Sequence, residues 1–318
     1  MKRKILIIGI AATVLLLSTL YHVTNSSAQT ESKKLIPKEK TNEYIRVVRP
    51  EGKKIPISMD TAIAHFEGKF RGETVNVDLI AAVHLGDLAY YDELNKRFKD
   101  YEVVLYELVV PEGVEIDENT FSKEAREERG TNPLSALQGG MSKTLGVVHQ
   151  LEHVDYTAKN FVHADMTAED FMKRVSERGD IANTFSRAFI LNMSQQEESS
   201  KLNGRMFATL FSKNKTLSMK RIFADVMVDQ MDDSQWVFSG NSGSALITDR
   251  NAIALERLRE QFRAGKTKVA IFYGAAHLQE FAKSLKNDFR MKPTGVDWMI
   301  AWDLTADNSA REKTAVDK

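Results

Sequence analysis

Two stretches of this 318-residue chain follow one plan, and that plan restricts the fold more than any other feature. Leu79-Ile80-Ala81-Ala82-Val83-His84-Leu85 and Phe272-Tyr273-Gly274-Ala275-Ala276-His277-Leu278 each run an apolar segment through small residues into His-Leu. An amphipathic segment follows each. A second apolar segment then closes the unit, ending Leu105-Tyr106-Glu107-Leu108 in the first case and Ala301-Trp302-Asp303-Leu304 in the second. Unbroken apolar runs of strand length suit strands covered on both faces, and strands alternating with helices imply parallel pairing. The expected fold is α/β, with a mixed, largely parallel sheet built from two related strand-helix-strand units.

The rest of the chain fits around that frame. Ile45–Val48, Ile55–Met59 and Thr61–Phe66 are predicted as short strands and Thr74–Val83 as a longer one. Asp87 is placed to cap a helix reaching about Lys99. From about 121 to 217, Met, Leu and Phe recur at three- and four-residue spacings, which predicts a helical insertion interrupted by Gly139-Gly140 and the strand-like Phe161-Val162-His163-Ala164. A polar loop at 239–244 precedes a helix from about Arg250 to Ala264, with Thr248 or Asp249 as N-cap and Gly265 beyond its end. The domain is expected to span 44–304, after a polar linker at 29–43 and before a polar, disordered tail at 305–318.

Residues 1–28 have the character of an address. Lys2, Arg3 and Lys4 precede the apolar run Ile5–Leu20, and small residues at Ser26 and Ala28 suit a signal peptidase. The segment is a cleaved signal peptide or, if kept, an N-terminal membrane anchor. Either way the body is expected to be exported, periplasmic or extracellular, with the basic residues favouring a cytoplasmic N-terminus.

Composition removes several function classes. Lys+Arg and Asp+Glu both number 44, so no field of one sign exists to attract a phosphate backbone, and nucleic acid is not an expected partner. There is no cysteine, which removes disulfides, thiolate metal sites and a cysteine nucleophile. The serine-elbow pattern is also missing, Gly240-Asn241-Ser242-Gly243 being one residue short of it.

What remains is imidazole and carboxylate chemistry at strand ends. Ligands collect at the carboxyl ends of parallel strands, and His84, His277, Glu107 and Asp303 all fall there. If the two units are neighbours in one sheet, His84, His277 and Glu107 point into one crevice. Two imidazoles and a carboxylate can hold a divalent ion with positions open for water and substrate. Equally, Glu107 or a histidine could serve as a general base without metal. Arg250, beside Asn251 at a helix start, could clamp a substrate carboxylate or bind Glu107. His163 and Asp165 would share a strand face but are expected to be structural, and Tyr273, Tyr90 and Tyr91 are expected to pack in the core or wall the pocket. His149 and His153 lack the HExxH pattern and are expected at the surface.

At these residues the chain resembles the TraB/PrgY/GumN family, which includes the Tiki metalloproteases and is related to the erythromycin esterase and ChaN-like superfamily. The resemblance rests on AAVH ending at His84, GAAH ending at His277, Glu107 in LYEL, Arg250-Asn251 opening a helix, and FVHADM at 161–166, and it spans about Thr61 to Leu304. It implies a mixed α/β sheet with a helical insert, and a divalent-metal-dependent peptidase with both histidines and Glu107 at the centre. The first element departs from the pattern, with Ala81 where the family has Gly. The leading expectation is therefore an exported or membrane-anchored metal-dependent hydrolase (manganese, cobalt or zinc) that acts on a peptide or small-molecule substrate. The alternatives are a surface protein that binds a peptide signal, metal or haem in the same crevice without catalysis, and a metal-free esterase-like hydrolase.

Overall fold

The computed structural model describes residues 44–305, apart from 115, 118–119, 121–139, 195, 210 and 240–242. The expected signal or anchor, the linker, the start of the helical insertion and all but the first residue of the tail lie outside the described residues. No described helix is long and apolar enough to cross a membrane.

The apolar runs form the strands they predict. In chain order the strands are β1 (Ile45–Val48), β2 (Ser58–Phe70), β3 (Glu73–Ala82), β4 (Leu85–Gly86), β5 (Val103–Tyr106), β6 (Val148–His149), β7 (Phe161–His163), β8 (Lys268–Gly274) and β9 (Lys292–Asp303). β4 and β6 make a small separate ladder, and the other seven form one mixed sheet. β3, β8, β5 and β7 lie side by side and parallel. β2 pairs antiparallel with β1, β3 and β9, so it alone runs against the rest of that sheet.

Alternation along each parallel strand feeds two apolar layers, which is why the runs are unbroken in sequence. Val77, Leu79 and Ala81 of β3, with Ile271 and Tyr273 of β8 and Leu105 of β5, pack against helices α7 (Thr248–Arg263) and α8 (Leu278–Asn287). Ile80 and Ala82, with Phe272, Val104 and Tyr106, face α1 (Leu88–Phe98) through Tyr90, Tyr91, Leu94 and Phe98. Helices therefore cover both faces. Truncating a fully buried member such as Leu79 to Ala should cost about 2–5 kcal/mol.

Four differences from the sequence expectation have identifiable causes. First, Ile55–Met59 and Thr61–Phe66 are not two strands: β2 runs through Asp60, whose buried carboxylate accepts from Ser58 Oγ (2.7 Å) and Arg46 Nε (3.1 Å) and so does not break the strand. Ile55 and Ile57 lie outside it and are exposed. Second, the helical region reaches past residue 217: after the short α2 (Gln150–His153) come α3 (Ala168–Arg178), α4 (Asp180–Ser194), α5 (Gln196–Thr209) and α6 (Lys215–Ser239), and β7 within this stretch joins the main sheet. Third, the two repeated units are interleaved, because β8 sits between β3 and β5 while β9 crosses to the far side of the sheet and pairs with β2. Fourth, the N-cap candidates do not cap through their side chains. Asp87 occupies the N-cap position of α1, but its carboxylate accepts from Lys220 Nζ and from the Asp303 N–H (2.6 Å). Burial raises the Asp87 pKa against the pull of Lys220. Helix α7 starts at Thr248 with Ile247 as N-cap, while Gly265, just beyond its end, takes the left-handed conformation (φ 83°).

Candidate active site

The register of the parallel strands brings their carboxyl ends level: Ala82 is opposite Gly274, Phe272 opposite Tyr106, and Tyr106 opposite His163. The chain leaves those four ends carrying His84, His277, Glu107 and Asp165 in spatial order β3, β8, β5, β7. The strand ends that carry His84, His277 and Glu107 are neighbours because β8 lies between β3 and β5.

Glu107 is held at both oxygens. Oε2 accepts from the Gly274 N–H (2.7 Å) and Oε1 from Arg250 Nη2 (2.7 Å). A Cβ on Gly274 would stand 3.2 Å from Oε2, so glycine is what lets the carboxylate reach the backbone there. Ala81, at the matching place in the first element, packs in the apolar layer, and its carbonyl accepts from Tyr90 Oη (2.9 Å). Among the described residues no carboxylate bonds the backbone there, and alanine packs in its place.

Arg250 lies in the first turn of α7 with its side chain buried. It donates a fork to Asp165, Nε to Oδ1 at 2.8 Å and Nη2 to Oδ2 at 2.5 Å, in addition to its bond to Glu107. Such two-donor pairs fix orientation as well as charge. Burial disfavours the guanidinium's charge, but Asp165 and Glu107 outweigh burial and raise its pKa. Burial likewise pushes Glu107 up, yet Arg250 and the neighbouring polar groups hold it down to about 2. Two carboxylates against one guanidinium leave one negative charge: Asp165 takes two of the Arg250 donors, and Glu107 takes one together with the Gly274 amide.

His277 sits in the 3₁₀ turn Ala275–His277 and is 2% exposed. Its ring packs edge-on to Tyr273 and stacks on Phe281. Asn251 Nδ2 donates to the His277 carbonyl (3.3 Å), which leaves Asn251 Oδ1 to accept from His277 Nδ1 (2.6 Å). Nδ1 therefore carries the proton, and Nε2 presents a lone pair to Glu107 Oε1, 3.7 Å away. Burial is the main cause that lowers the His277 pKa, to about 4, with Glu107 opposing it. The imidazole is neutral at neutral pH.

His84 is half-buried and held through its main chain, its carbonyl accepting from the Gln150 N–H (2.9 Å). It acts electrostatically on both Glu107 and His277. Tyr91 Oη donates to the Val83 carbonyl (2.8 Å), so both tyrosines of α1 brace the strand end that carries this histidine.

The remaining candidates lie elsewhere or are committed. Tyr273 donates its hydroxyl to the Ala164 carbonyl (2.5 Å), tying β8 to the exit of β7. His163 bonds the Leu108 carbonyl (2.6 Å). His149 and His153 are half-buried beside α1. Asp303, at the end of β9 beside Asp87, uses its carboxylate to accept from Thr305. Asp165, expected to be structural, is the residue that fixes Arg250. Asn251, seen in sequence only as part of a family pattern, sets the tautomer of His277.

The donor set was tested against a divalent ion. Two ligand atoms about 2.1 Å from one ion stand roughly 3.0–3.6 Å apart at angles of about 90–120°. Glu107 Oε1 and His277 Nε2 at 3.7 Å are close to that separation. An outer acceptor on Nδ1, as Asn251 provides, is the usual support for a metal-ligating histidine. Among the described residues no three His, Asp or Glu side chains already form a ligand cluster, and His84 is the further donor at hand. Glu107 and His277 thus offer two donors at near-ligand separation, and His84 lies within electrostatic reach of both. Set beside known proteins, the chain matches no family profile, no curated protein and no solved structure.

Proposed function

We propose that this protein is a divalent-metal-dependent hydrolase acting on peptide bonds, exported or anchored at the cell surface through residues 1–28. One arrangement carries this reading: buried His277 Nε2 stands 3.7 Å from Glu107 Oε1, and the Asn251 bond to Nδ1 assigns the ring proton to the other nitrogen. Two electron-pair donors aimed at one another call for an electron-pair acceptor. Glu107, His277 and, from the open side, His84 would hold it. Nitrogen and oxygen donors without thiolate suit manganese, cobalt or zinc. When bound, such an ion supplies Lewis acidity toward a water and a scissile carbonyl.

The protein's own groups do the positioning. The Gly274 N–H and Arg250 hold Glu107 so that Oε1 stays turned to His277, and Asp165 takes up the charge of Arg250. His277 is buried and His84 half-buried, so the more accessible side of the site is that of His84. A metal-free proton shuttle is less well supported, because groups titrating at about 2 and about 4 are far from neutral pH.

The test is to strip the full-length protein with chelator, reload it with manganese, cobalt or zinc, and follow binding by calorimetry and cleavage of a peptide library by mass spectrometry. Stoichiometric binding lost in folded His84→Ala and His277→Ala, with cleavage lost in Glu107→Gln, supports the reading. A folded protein that takes up none of these ions would sink it.

A further inference from the structure

At the opposite end of the sheet, by the amino ends of the parallel strands, lies a cavity of about 240 Å³. Its floor is aromatic: Phe70 and Phe262 stand 5.5 Å apart and Phe262 and Phe289 6.3 Å apart between ring centroids. Its rim is cationic. Lys69, Arg259, Arg263 and Arg290 line it, against Asp288 as the one acid in the lining. Glu256 pairs with Arg259 (3.3 Å) and Arg263 (3.1 Å), while Lys69 and Arg290 have no ion-pair partner among the described residues. The Arg259 guanidinium caps the Phe289 ring at 4.6 Å, so cation and aromatic share one wall.

Backbone strain is placed here as well. Among the described residues only two non-glycines have positive φ, Arg71 (51°) and Arg290 (55°), and they flank this cavity, Arg71 next to Phe70 and Arg290 in the lining itself. Left-handed backbone at a bulky residue persists where surrounding structure imposes it, often at ligand clamps. Arg71 belongs to the hairpin turn between β2 and β3 and stands 5.5 Å over the Phe70 ring, while Arg290 itself lines the cavity.

We propose that this cavity is a second binding site, for a small molecule or chain end that joins an aromatic ring to an anionic group. The ring takes the phenylalanine floor and the anion meets Lys69 and Arg290. The volume is below that of drug-sized pockets and fits one ring with its acid group. A free aromatic acid and the carboxyl-terminal aromatic residue of a polypeptide present the same chemistry.

Ligand-observed NMR on the full-length protein in a neutral detergent tests the assignment with phenylacetate and N-acetylphenylalanine, each beside its neutral amide. Both acids should bind at least about tenfold more tightly than their amides, and added salt should weaken the acids alone. Tighter binding of phenylacetate points to a free acid, and tighter binding of N-acetylphenylalanine to a polypeptide terminus. Arg290→Gly suits the left-handed backbone, so it should fold at least as well as the parent while losing about tenfold in acid binding, as should Lys69→Gln. Amides that bind as well as acids, acids that do not bind at millimolar concentration, or binding unmoved in both variants would each overturn the proposal.

Discussion

The two histidine elements share a sequence plan and differ in almost everything around it. His277 ends an element whose glycine admits a carboxylate, whose ring is locked by Asn251, and whose turn runs straight into α8. His84 ends an element braced through its main chain, by Tyr90, Tyr91 and Gln150, and a two-residue strand separates it from α1. The difference teaches that a repeated motif fixes where a side chain leaves a strand, while its chemistry depends on what the neighbouring strand delivers. Strand β5 delivers Glu107 beside β8, and the strand delivering Asp303 lies at the other side of the sheet.

The contrast breaks most readily at the carboxylates. Glu107→Gln should reduce metal-dependent turnover by on the order of 10²–10⁴, measured as kcat/KM on any peptide found to be cleaved. Next in size, Arg250→Met leaves Glu107 and Asp165 buried without their cation and should cost about 3–5 kcal/mol in chemical denaturation. Asn251→Ala frees the His277 ring and should weaken divalent-ion affinity by about 10–100-fold in calorimetry.

The pH dependence follows from His277, whose native pKa is about 4 against an ordinary 6.5. The unfolded chain binds the extra proton, so this contribution to stability is complete above about 6.5 and is lost as pH falls toward 4. Its slope is at most about 1.4 kcal/mol per unit. Denaturation midpoints should fall over that window in the parent protein and fall less steeply in His277→Gln. The smallest effect belongs to the acid in the matching place: Asp303→Asn should change stability by about 0.5 kcal/mol or less and leave ion binding unaltered. A large loss of binding there would undo the distinction between the two units.

Much of this arrangement was legible in the sequence because it is local. Apolar runs and helical spacing mark β3, α1, β5, β8 and α8, and the strand ends mark His84, Glu107 and His277. What was not legible depends on pairing between distant segments. No local pattern tells β8 to enter between β3 and β5, or β9 to cross over to β2. The alternation of His163 and Asp165 suggested a shared face, but β7 stops at His163 and Asp165 turns inward to Arg250. Asp60 resembled a break in a strand because its two partners, Ser58 and Arg46, become visible only in the fold.

The placement of β8 also has a consequence in time. A chain emerging from synthesis presents β3 and β5 long before β8, yet neither pairs with the other in the finished sheet. Until residue 274 arrives, Glu107 lacks the Gly274 amide and His277 does not exist. Closing so long a loop is slow and entropically costly. The centre is therefore assembled only when nearly the whole body has been made, so a partial chain lacks it by construction.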